Sequence, residues 1–181
     1  MKATGTPFDV TEAVAAVDAL LARPLPEDGP TRWEPGSESW SGSYGAGFRL
    51  APLWESRAYV GVPGPEWDTA QEEAERYFAE LTGALDERWG PHREVGMRAL
   101  LLGDADDESV PPLFAELRAF GLYGELMVWG PVGSPHGPRW VAVSVGQCDE
   151  DAPHMMVAAV TDVPIQDVPI EDVPIGELPT G

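Results

Sequence analysis

At 181 residues the chain has the length of one domain with an appendage, and its 43% hydrophobic residues, with seven Trp, five Phe and four Tyr, exclude wholesale disorder. Against 31 acidic residues stand only 11 basic ones, for a formal charge of -20. A field of that sign excludes phosphate backbones and anionic membranes as partners and steers basic proteins toward the surface.

The elements follow in chain order. Phe8 and Asp9 open a first helix, with Asp9 as cap, Glu12 three residues later as in a capping box, and Phe8 stapled to the first turn. Its apolar face is Val10, Val14, Val17 and Leu21, and Pro24 and Pro26 stop it. From 31 to 47 the chain turns to Gly, Ser and aromatic residues and reads as an irregular arm. Two strand-like runs, 48–54 and 57–62, form a hairpin that Pro63 and Pro65 end.

A long helix is expected from Pro65 or Thr69 to Trp89, capped by Thr69 with Glu72 and ended by Gly90-Pro91. Ala74, Tyr77, Phe78, Leu81, Ala84 and Leu85 are its buried stripe, and Glu72 pairs with Arg76 on the opposite face. A buried strand at 95–102, an acidic turn at 104–108 and a short helix at 110–120 follow, the helix stopped by Gly121. Strands at 122–129, 139–145 and 154–160 then make an antiparallel meander. Trp54, Trp129 and Trp140 belong in the core.

This order predicts an α+β fold: a mostly antiparallel sheet of five to six strands with two to three helices packed on one face. Residues 1–160 form the single domain and 161–181 an acidic tail. The tail repeats with period five, Asp162-Val163-Pro164-Ile165, Asp167-Val168-Pro169-Ile170 and Asp172-Val173-Pro174-Ile175, before Glu177-Leu178-Pro179-Thr180. Proline every fifth residue forbids a helix and a central strand and favours an extended chain. Such a tail is a solubilising appendage, a linear motif that lies along a partner through Val163, Ile165, Val168, Ile170, Val173 and Ile175, or a segment that docks back on its own domain.

The chemistry-bearing residues point away from catalysis. Cys148, the lone cysteine, is followed by Asp149, Glu150 and Asp151, whose charge disfavours the thiolate. His92, His136 and His154 lack metal-ligand spacing, and the acidic turn lacks the glycine and terminal Glu of an EF-hand, so no metal and no cofactor is expected. No phosphate-binding glycine loop and no nucleophile elbow occurs. Asp9, Glu12 and Asp18 interrupt what would be the apolar core of a secretion signal, which makes the cytoplasm the expected compartment.

The segment that stands out is 33–44, where Trp33, Trp40 and Tyr44 alternate with Ser and Gly in the manner of a binding loop. With Asp104, Asp106 and Asp107 these aromatics are the candidate partner-binding residues.

Val128-Trp129-Gly130-Pro131-Val132, Arg139-Trp140-Val141-Ala142-Val143-Ser144-Val145-Gly146-Gln147 and Val157-Ala158-Ala159-Val160 together resemble small acidic proteins of actinobacteria that have no assigned function. What the resemblance implies is an immunity or inhibitor protein. The acidic surface and the loop of Trp33, Trp40 and Tyr44 make non-enzymatic binding of a basic protein partner the expected function. The alternatives are an accessory subunit tethered by the repeats and a small carboxylate-dependent hydrolase or transferase.

Overall fold

A computed structural model describes residues 7–35, 40–56, 64–96, 110–122, 124–146 and 153–166. Within them lie helices α1 (Val10–Leu21), α2 (Gly64–Trp89) and α3 (Pro112–Ala119), and strands β1 (Arg32–Trp33), β2 (Ser43–Gly45), β3 (Phe48–Glu55), β4 (Arg93–Val95), β5 (Leu126–Val132), β6 (Arg139–Gly146) and β7 (Met155–Thr161). The strands form one sheet in the order β1-β2-β3-β7-β6-β5-β4, each pair antiparallel. The fold class is α+β, with seven strands where five to six were expected, because the arm at 31–47 supplies β1 and β2.

Asp9 caps α1 as its position predicts, its carboxylate accepting from the backbone N–H groups of Thr11 at 2.8 Å and Glu12 at 3.3 Å. Phe8 packs against the cluster that contains Ala13 of the first turn of α1, and it also stacks on Tyr77 of α2 with ring centroids 4.9 Å apart and meets Trp54 edge-on, so it ties the start of α1 to α2 and β3.

The helix α2 begins at Gly64, so Thr69 lies inside it and does not cap it. Pro65 is tolerated in a first turn and lets the helix start earlier. Arg76 pairs with Glu73, at 3.8 Å, and lies over the Tyr77 ring, in place of the expected pairing with Glu72.

The strand expected at 122–129 starts only at Leu126. Leu122 belongs to the end of α3: its N–H bonds the Leu117 carbonyl and its side chain is buried, the Schellman arrangement that Gly121 allows. The meander β5-β6-β7 forms as read, and β3 pairs with β2 and β7. The hairpin partner at 57–62 and residues 97–102 lie outside the described residues.

Both faces of the sheet are apolar, and the helices divide between them. On one face α1 and α2 cover Val141, Val143, Met156, Ala158 and Val160. On the other α3 covers Phe48, Leu50, Ala142, Val157 and Ala159. Only two helices thus share a face, and the third packs opposite. The alternation of side chains along β7 sends its odd positions to one cluster and its even ones to the other, so each needs a cover. A bulge between Pro52 and Trp54 reverses this alternation in β3, which places Trp54 with α1 and α2 although Leu50 faces α3.

The boundary expected between 160 and 161 falls inside β7. Beyond it the first repeat unit belongs to the body: Ile165 is 3% exposed within the α3-face core, and the Arg93 guanidinium donates to its carbonyl.

Candidate functional site

The strand β1 is one edge of the sheet, and the pairing of β1, β2 and β3 sorts its side chains into two rows. Trp33, Ser43 and Leu50 are aligned partners, as are Arg32, Tyr44 and Arg49. Leu50 packs toward α3, so the first row shares that face. There Phe120, just past α3, carries both indoles: Trp33 stacks on it at 5.5 Å and Trp40 tilts against it at 4.6 Å.

Glu116, one helical turn before Phe120, receives the polar ends. Its carboxylate accepts from the Trp33 indole N–H at 3.0 Å and from the Ser43 hydroxyl, and Ser43 in turn accepts from the Trp40 indole at 2.9 Å. Each indole is thereby fixed by one hydrogen bond and one ring contact. Trp33 still leaves 60% of its surface exposed. A large aromatic group held rigid and in water is the composition of an interface anchor, because little rotamer freedom is left to lose on binding.

Tyr44 is not part of this cluster. It lies under the Arg49 guanidinium, 5.0 Å from the ring centroid, on the other face. Arg49 and Arg23 both reach Glu34, at 2.8 and 2.9 Å, and Arg49 also donates to the Pro24 carbonyl, tying the end of α1 to the sheet. No family model matches the chain, and no curated protein or solved structure matches it.

Of the other candidates, Asp104, Asp106, Asp107, Val168, Ile170, Val173 and Ile175 lie outside the described residues, as does Cys148. Val163 is 59% exposed and Ile165 is buried. Ser43, Glu116 and Phe120 complete the cluster, and of the three only Phe120 carries a signal in the sequence, as an apolar residue in helical spacing with Leu113 and Leu117. Among the described residues no group of acidic, His or Cys side chains is arranged to hold a metal ion, and no helix is long and apolar enough to cross a membrane.

A second constellation closes the end of α2. Asp86 accepts from the His92 ring at 3.0 Å, from the His92 backbone N–H at 2.9 Å and from the Trp129 indole at 3.0 Å. Desolvation pushes this carboxyl up, but the hydrogen bonds from His92 and Trp129 and the charge of His92 outweigh it and hold Asp86 below the ordinary carboxylate value. This Asp-His pair and the Trp129 indole join the end of α2 to the start of β4 and to β5.

His154 is 7% exposed, its backbone N–H and carbonyl bonded to Ser56. Burial lowers the pKa of its imidazole, with the Glu75 carboxylate opposing. An unfolded histidine titrates at about 6.5. As pH falls through that value the unfolded chain takes up a proton that the folded chain refuses, so stability drops and the loss levels off below the depressed folded value. Melting temperatures at pH 7.5 and 5.5 should accordingly differ by less in His154→Gln than in the native protein.

Proposed function

We propose that the protein is a non-enzymatic binding domain that engages a basic protein partner through the β1 edge, acting as an immunity or inhibitor protein. The observation that carries this reading is Trp33: it is stacked, hydrogen-bonded and yet 60% exposed. An edge strand offers unpaired backbone groups beside it, and the acidic surface steers a basic partner toward it. Trp33, Trp40 and Phe120 form the aromatic part of the contact, and Glu116 keeps the indoles in place.

Affinity purification from the host at low and at high salt, with the native protein and Trp33→Ala side by side, tests the reading. A partner held at low salt, released at high salt and bound at least about 30-fold more weakly by Trp33→Ala is expected, the size of an aromatic hot spot. Equal capture by the two proteins, or none at either salt, would sink it. Circular dichroism of the variant separates loss of contact from loss of fold.

A further inference from the structure

Leaving β7 at Thr161, the chain bonds Gly47 through the Asp162 N–H at 3.2 Å, and Val163 gives its carbonyl to the Thr161 hydroxyl at 2.6 Å. It then runs toward the β4 edge, where the Arg93 guanidinium takes the Ile165 carbonyl and the Ile165 side chain enters the α3-face core. Within the unit only Ile165 is buried; Asp162, Val163, Pro164 and Gln166 are exposed.

The site therefore reads two things: main-chain groups at fixed spacing and one branched apolar side chain. Both recur at 167–170 and 172–175, where Asp-Val-Pro-Ile is repeated without change. The three units differ only at the fifth residue, Gln166, Glu171 or Gly176, and Gln166 is exposed in the docked unit. The side chain that the site buries, that of Ile165, therefore recurs in each of the three units, and the position that varies is exposed in the docked one.

We propose that this crossing is a peptide site whose ligand is the acidic tetrapeptide Asp-Val-Pro-Ile, filled at rest by 162–165 and able to take 167–170 or 172–175 of the same chain in its place. Moving the register by five residues turns the displaced unit into a short loop, and loop closure grows only slowly with length, so the three registers lie close in free energy. Attachment to the same chain gives the later units a high effective concentration, which favours them over a second copy in dilute solution.

The test uses full-length variants. Ile165→Ala should shift the unfolding equilibrium constant by less than about 10-fold, because Ile170 or Ile175 takes the site. The triple variant Ile165→Ala, Ile170→Ala, Ile175→Ala should shift it by about 100-fold, as loss of a buried Ile side chain does. Ile170→Ala with Ile175→Ala, leaving Ile165 intact, should behave as the native chain.

Equal losses for the single and triple variants would overturn the proposal, and so would a triple variant as stable as the native protein. If the triple variant is largely unfolded, a synthetic Asp-Val-Pro-Ile-Glu peptide should restore its folded signal in proportion to concentration, and the same peptide with Ile changed to Ala should not. Failure of the first peptide, or rescue by both, overturns the site. A dimer of Ile165→Ala in sedimentation would overturn the assignment to the same chain.

Discussion

Phe48→Ala is expected to cost about 3–5 kcal/mol of folding free energy, the range for removing a buried aromatic ring. Phe48 is 1% exposed and sits where β2, β3 and β7 meet, paired with Gly45 on one side and Thr161 on the other. The ring lies against Gly45 so closely that a Cβ there would come within 2.8 Å of it, which is why the neighbouring strand has glycine at that point. Alanine leaves a void between the sheet and α3 that neither rigid neighbour can fill. Against the 5–15 kcal/mol typical of such domains this is a large fraction of the whole. Urea denaturation should show a much lower midpoint with an unchanged slope; a loss under about 1 kcal/mol would mean that α3 collapses onto the sheet.

Gly130→Ala should be nearly as damaging, at about 2–5 kcal/mol, from two separate causes. Gly130 has φ of 155°, where a side chain is strained at about 1–2 kcal/mol. An added Cβ would also stand 2.2 Å from the Trp140 ring, an overlap that forces the indole aside at about 1–3 kcal/mol. The two causes separate in a double-mutant cycle. In a Trp140→Ala background the overlap is gone, so Gly130→Ala should then cost only the backbone share, with a coupling of about 1–3 kcal/mol between the positions. Additive losses would show that the indole moves freely and that only the backbone matters.

The elements that local chemistry specifies were legible. The end of α2 at Gly90 and its buried Ala74, Leu81 and Leu85, and the cap Asp9 on α1, follow from helical spacing and from residues that act within one turn. The strands β5, β6 and β7 follow from runs of Val, Ala and Met between turn residues, and they pair in the order of the chain. The net acidity and the five-residue period of the repeat are likewise properties of the composition and order of residues alone.

The candidate site was half legible. Trp33 and Trp40 announced themselves by residue type, but Glu116 and Phe120 join Trp33 across gaps of 83 and 87 residues, and Ser43 joins Glu116 across 73, distances that no local pattern spans. Tyr44 is near Trp33 and Trp40 in sequence, but the pairing of β1 with β2 sends it to the other face. A binding surface of this sort depends on which strand partners which, and one residue of register exchanges the faces.

What the sequence determined about this protein is what acts over a turn of helix or a run of strand: the elements, their stops, the charge and the period of the repeat. Only the tertiary structure decided that α3 covers the face opposite α1 and α2, that the bulge at Pro52 turns Trp54 away from Leu50, that Glu116 fixes two indoles, and that the first repeat unit is held in the core by Ile165. Three identical units have identical local preferences, and attachment to β7 is what places the first of them, through Ile165, in the apolar core beside α3.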